Sequence, residues 1–235
     1  MNDYLNQQTT YSKEISRDFF KNVYSYMFGA LSLSGLIAYT CGTPEFFAQY
    51  FIGAEGISSL FYIVAFAPIG LALAIQWGYN RFSLTTLLLL FVLYSSLMGL
   101  SISSIFLFYD LSAIASTFFV SAGAFAAMAV LGYTTKTDLT KFGSLLYMVF
   151  IGIFIASIVN MFIGWETMDF VISVLGVFVF TGLTAYHMQQ LKAMSSDTTL
   201  SAEQRSKLSL IGGLQLYILF VNLFLSLLRL LGGRD

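Results

Sequence analysis

Seven stretches of about 20 or more largely apolar residues, separated by short polar connections, leave this chain few ways to fold. They lie at about 22–41, 58–78, 84–108, 112–132, 143–163, 170–190 and 210–231. Hydrocarbon offers backbone N–H and C=O groups no hydrogen-bond partners, so a spanning chain must be helical or close into a β-barrel. Barrel strands read as short alternating segments, whereas these runs are long and continuous. The expected fold is therefore all-α: a polytopic membrane protein forming a seven-transmembrane-helix bundle. Composition agrees, since 10% of the residues are charged against about 25% in a soluble domain.

Residues 1–21 are polar, mixed in charge and lack the apolar core and cleavage site of a signal peptide. They read as a cytosolic N-terminal segment ahead of a transmembrane domain over 22–232. The sixth connection contains the polar run SSDTTLSAEQRSK and reads as a solvated hairpin or short surface helix.

Cation placement predicts the orientation. Lys13, Arg17 and Lys21 precede the first run, Arg81 follows the second, Lys136 and Lys141 follow the fourth, and Lys192, Arg205 and Lys207 follow the sixth. Nine of the eleven Lys and Arg thus share one side. The N-terminus is expected in the cytosol and the C-terminus outside, with a bacterial cytoplasmic membrane as the setting.

Helices in lipid associate by close backbone packing, which small residues permit. The fourth run carries Ser121, Ala122, Gly123, Ala124, Ala126 and Ala127, and reads as a central helix surrounded by six others. Gly70 with Ala74 and Gly152 with Ala156 are further candidate contact pairs. Pro68 removes a hydrogen bond from the second run, serving either a gate or packing. Trp77 and Trp165 lie near run ends, where an aromatic belt would place them.

One histidine, His187, and one cysteine, Cys41, leave no basis for a metal site, a disulfide or a nucleophilic triad. No phosphate-binding glycine loop is present, and the net charge of -1 gives no nucleic-acid footprint. The reading is non-enzymatic and without cofactor. His187 has two readings: a proton-responsive group, since imidazole titrates near pH 6.5, or a neutral ring bonded to a neighbouring helix or snorkelling towards the interface. Position alone favours the second. Asn160 and Asn222 are candidates for hydrogen bonds across helices.

The stretch GYTTKTDLTKFGSLLYM, Gly132 to Met148, resembles the Bax inhibitor-1 family. The likeness continues through IGIFIASIVNMF (Ile151 to Phe162) and LYILFVNLFLSLLRLLG (Leu216 to Gly232), and reaches back to FFKNVYSYMFGALSLSGLIAY (Phe19 to Tyr39). The resemblance implies a seven-helix membrane protein that acts as a pH-sensitive calcium leak channel or in ion homeostasis. It also implies, as the alternative, a non-conducting partner of a membrane-bound quality-control protease. Partners would then be the lipid bilayer, calcium or other cations, or that protease.

The family's pH and calcium chemistry is attributed to two aspartates, and the sequence departs from the pattern at both. Where relatives carry Tyr-Asp-Thr-Gln, this chain reads Tyr186-His187-Met188-Gln189. Where they carry Leu-Tyr-Leu-Asp-Phe-Ile-Asn, it reads Leu216-Tyr217-Ile218-Leu219-Phe220-Val221-Asn222. The candidate pH-sensing and pore positions are thus His187 and Leu219, with Tyr186, Gln189, Tyr217 and Asn222 around them. Two close carboxylates can share a proton and ligate calcium; an imidazole opposite a leucine does neither. Asp138, on the cytosolic side with His187, is the candidate compensating acid.

Overall fold

The computed structural model describes residues 2–53, 56–197 and 199–233, with side chains from residue 14 onward. Nine helices and a two-stranded hairpin follow in order among the described residues: α1 (Asn2–Cys41), α2 (Pro44–Tyr50), β1 (Ile52–Gly53), β2 (Gly56–Ile57), α3 (Ser59–Gly78), α4 (Leu84–Ile102), α5 (Ile105–Phe108), α6 (Leu111–Thr134), α7 (Thr140–Ile163), α8 (Glu166–Ser195) and α9 (Ala202–Leu231). Six segments among the described residues are long and apolar enough to cross a bilayer: α3, α4 with α5, α6, α7, α8 and α9. Each lies on one of the apolar runs.

The first run differs. It forms the C-terminal half of α1, a helix of 40 residues and hence about 60 Å long, roughly twice the hydrocarbon thickness. Ser25, Ser32, Ser34, Gly29 and Gly35 dilute its apolar character, and it is not among the six segments above. The sequence alone starts the span near residue 22; the backbone is helical on both sides of that boundary. Phe19, Val23, Met27, Ala30, Ser34 and Ala38 are buried, and their spacing of three and four marks one helix face.

The chain divides into two compact units, one of Met1–Phe108 with Thr198–Tyr217 and the other of Tyr109–Asp197 with Ile218–Asp235. In the first, α4 packs against both α1 and α3. Gly99 permits the approach to α1: a Cβ there would stand 2.7 Å from the Ser34 carbonyl oxygen. Gly213, on the N-terminal half of α9, lets α1 come equally close, with the Val23 carbonyl oxygen 2.9 Å from where its Cβ would be. Tyr217 is fully buried, its ring edge-on to Phe91 and Tyr94 of α4.

In the second unit, α8 packs against both α6 and α7. A Cβ on Gly132 of α6 would collide with the backbone of Ala185. One on Gly143 of α7 would lie 2.5 Å from the Tyr186 ring. The C-terminal half of α9 adds Phe220, whose ring meets Phe118 and Phe125 of α6, and Ser226, which sits over Gly176 of α8.

The small residues singled out in the sequence are mostly not the contact residues. At Gly70, Gly123 and Gly152 an added Cβ would have nothing within 4 Å, and Ala126 and Ala127 are exposed. Burial does not single out the fourth apolar run either: its window in α6 is 28% buried, against 72% for α9. A run of small residues lets a backbone approach without requiring it, and here the approach is made elsewhere on the helix.

The sixth connection shrinks to residues 196–201 because helix-capping chemistry is written into it. Ser201 Oγ accepts from Gln204 N (3.2 Å) while Gln204 Oε1 accepts from Ser201 N (2.9 Å). This reciprocal pair satisfies two groups that a helix start leaves open. Much of the polar run therefore joins α9. In the apolar interiors, buried hydroxyls bond the carbonyl one turn back, as Ser34 does to Ala30 and Thr184 to Phe180.

The glycine contacts generate a contrast. Gly132→Ala forces a methyl group into backbone and should cost about 1–3 kcal/mol, lowering the thermal midpoint in detergent. Gly152→Ala meets open space and should leave that midpoint unchanged or slightly raised.

Candidate functional site

His187 lies on the face of α8 that its neighbours cover: Gly176, Val179, Phe180, Leu183, Thr184, Leu191 and Ser195 recur along the same buried stripe. The imidazole is 4% exposed. Its Nε2 stands 2.6 Å from the hydroxyl of Tyr147 on α7, and the two rings meet edge to face. Tyr186 lies edge-on to both rings, and its hydroxyl accepts a hydrogen bond from Gln190 Nε2. The hydrogen-bond partner of Nε2 is thus supplied by a neighbouring helix.

Gln189 does different work. Its Oε1 accepts from the Leu139 backbone N–H and its Nε2 donates to the Thr137 carbonyl, both at 2.8 Å. One side-chain amide therefore clamps the connection between α6 and α7 from both sides of Asp138. Lys192, a turn further along α8, donates to the Tyr133 carbonyl at 2.7 Å and lies 4.9 Å from the centre of the Tyr133 ring. The last turn of α6 and the α6–α7 connection are latched to α8 by these two side chains.

Asp138 is exposed and folds onto its own chain. Its Oδ1 accepts from the Thr140 hydroxyl (2.6 Å) and the Thr140 N–H (2.9 Å), an Asx turn that starts α7. The Thr140 hydroxyl, then its N–H, hold the carboxyl below the usual carboxylate range, with Lys141 adding to the effect. Its bonded partner is Thr140, while Nε2 of His187 meets the Tyr147 hydroxyl.

The remaining candidates are dispersed. Leu219 is buried on the C-terminal half of α9. Asn222 Nδ2 donates to the Ile218 carbonyl within that helix, whereas Tyr217 belongs to the first unit. Asn160 does link elements: its Nδ2 donates to Asp169 Oδ1 (2.8 Å) and to the Trp165 carbonyl, while its Oδ1 accepts from Trp165 N. With Gly164 at φ 71° ending α7, a left-handed conformation that glycine adopts freely, Asn160 ties the α7–α8 turn.

Sequence reasoning missed Tyr147 and Lys192. A signal for Tyr147 was present: Gly143 and Tyr147 are four apart and so share a helix face, one admitting Tyr186 and the other meeting His187.

The family described as "Inhibitor of apoptosis-promoting Bax1" matches residues 16–235. This chain belongs to the Bax inhibitor-1 family. It is 45% identical over 169 residues to the inner membrane protein YbhL of Escherichia coli K12, covering 72% of each chain. It is 39% identical over 245 residues to protein RP147 of Rickettsia prowazekii, covering 100% of this chain and 99% of that one. A Borreliella burgdorferi protein is 41% identical over 94% of both. As a Bax inhibitor-1 family member with six bilayer-length apolar helices, the chain is a multi-pass membrane protein.

Two predictions concern the latch. Gln189→Ala removes both amide bonds, so hydrogen exchange across residues 137–143 should rise at every pH. The Asp138 turn should behave otherwise. A carboxyl held low contributes fully above its ordinary range and loses that contribution as pH falls through the lowered value. Protection of the Thr140 amide should therefore persist at neutral pH and fade only in acid, whereas Asp138→Ala should lack it throughout.

Proposed function

We propose that this Bax inhibitor-1 family protein is a pH-responsive ion-homeostasis protein of the bacterial cytoplasmic membrane, with His187 as its titrating group. The observation that carries the reading is the buried His187 imidazole bonded to the Tyr147 hydroxyl across two helices. A neutral imidazole has one donor and one acceptor nitrogen, whereas the protonated ring has two donors. Protonation makes Nε2 a donor, so Tyr147 must accept where a neutral acceptor nitrogen would let it donate. It also places a positive charge on a covered helix face. The family's acid pair loses charge on acidification; this site gains it.

The same substitution argues against calcium coordination of the family's kind. Calcium takes hard oxygen ligands, mostly carboxylates and carbonyls, and the two positions hold an imidazole and an alkyl chain. The cation passed would then be one that needs no carboxylate pair. A second reading rests on Leu219: with no acid at that position, the protein conducts nothing and acts by binding a membrane-bound quality-control protease. Neither reading involves catalysis. Both readings take the C-terminal half of α1 as the first of seven spans, and the cation-rich connections support an N-terminus in the cytosol and a C-terminus outside.

Reconstitution into dye-loaded liposomes tests these readings. The wild type should show cation flux that changes between acidic and neutral pH. His187→Ala should lose that change, and Tyr147→Phe should displace its midpoint. Identical pH profiles for wild type and His187→Ala would overturn the histidine switch. A flux no greater than that of protein-free vesicles at both pH values would remove the transport reading and leave the interaction reading, which co-purification of a protease from native membranes would support.

A further inference from the structure

The proposed ion chemistry leaves one buried hydroxyl of the first unit without a task. Tyr217 of α9 is fully enclosed. Phe91 and Tyr94 of α4 hold its ring edge-on, with centres 6.2 Å and 5.8 Å away. Among the described residues its Oη closes no hydrogen bond. Ser34 Oγ of α1 is the group that approaches it. That hydroxyl donates its own proton to the Ala30 carbonyl at 2.8 Å, and the two oxygens do not reach bonding geometry. A phenol hydroxyl both donates and accepts, and burying it unmet costs the desolvation of the group.

Tyr217 is not the sole polar group at this place. Tyr94 is buried as well, and its hydroxyl lies within electrostatic reach of that of Tyr217. Three helices therefore bring hydroxyls together: α1 through Ser34, α4 through Tyr94 and α9 through Tyr217. Close packing fixes their positions. Gly99 brings α4 against the Ser34 backbone, and Gly213, one turn before Tyr217, brings α9 against α1. No Asp or Glu occurs on α4, on α1 beyond Asp18, or on α9 beyond Glu203. A cation would thus sit in an apolar interior without a counter-charge, which is expensive. The ligand that fits is small, neutral and able to donate and accept at once. Water meets each condition, and buried waters take two to four polar partners.

We propose that Tyr217, Tyr94 and Ser34 form a binding site for one internal water molecule that joins α1, α4 and α9. The water donates to Ser34 Oγ, whose lone pairs are open because its proton is committed to Ala30. It exchanges hydrogen bonds with the two phenol hydroxyls. Three groups that cannot satisfy one another directly are then satisfied together, in a region where lipid tails offer no hydrogen bonds.

The test uses full-length protein in lipid nanodiscs, irradiated with X-rays so that hydroxyl radicals form from bound as well as bulk water, with modified side chains read by mass spectrometry. Tyr217 should be oxidised several-fold faster than Phe125 of α6, a buried aromatic residue of the other unit. Oxidation of Tyr94 should fall several-fold in Tyr217→Phe and in Ser34→Ala. Thermal unfolding in detergent gives an independent reading. Tyr217→Phe should lower the midpoint by several degrees, and adding Tyr94→Phe should lower it by less than the sum of the two single changes. Oxidation of Tyr217 no faster than that of Phe125 would overturn the proposal. So would an unchanged or raised midpoint in Tyr217→Phe, because removing a hydroxyl that bonds nothing relieves a cost. A loss that Ser34→Ala reproduces while Tyr94→Phe has no effect would overturn it in favour of a direct Tyr217–Ser34 bond.

Discussion

Hydrocarbon supplies no hydrogen bonds, and this one constraint governs the rest of the structure. Every backbone group in a spanning segment must find its partner within the helix, which is why the apolar runs become long helices. Buried hydroxyls follow the same rule. Ser34, Ser95, Ser121 and Thr184 turn back to the carbonyl one turn earlier. The side chains left for specific contacts are then few, and they gather where helices end and water returns.

Because lipid tails are as apolar as leucine, burial alone does not drive spans together, and close approach must do so. In the second unit the approaches are made at Gly132 against Ala185 and at Gly143 against Tyr186. Both glycines flank the α6–α7 connection; Gln189 bonds the backbone of that connection from α8, and Lys192 bonds the last turn of α6 beside it. Tight packing and polar latching therefore coincide at one end of the three helices. His187 stands in the same region, bonded to a tyrosine one helical turn beyond Gly143. A change in its hydrogen bonding would act on the most closely fitted part of the unit.

Much of the fold was legible in the sequence, for a reason visible at particular residues. Run lengths alone located α3, α6, α7, α8 and α9, because apolar length is what the bilayer demands. The course of α1 was not legible: nothing in the polar residues before Lys21 announced that they continue the helix of the first apolar run. Nor was the capping pair of Ser201 and Gln204 weighed against the polarity of its neighbours. Glycines that touch nothing, such as Gly152, and glycines that touch backbone, such as Gly132, have the same letter and similar neighbours.

The candidate site divides along the same line. Sequence by itself determined that this is a multi-pass helical membrane protein of the Bax inhibitor-1 family, and its resemblance to that family made His187 and Leu219 the candidate positions. Residue identity and apolar run length are one-dimensional properties, fixed before any packing occurs. Only the tertiary structure decided that Tyr147 is the partner of His187, that Asp138 is engaged by Thr140, and that Gln189 is a clamp on the α6–α7 connection. Those pairings depend on the rotation of each helix about its axis, which close contact at a few glycines sets and which no residue encodes alone.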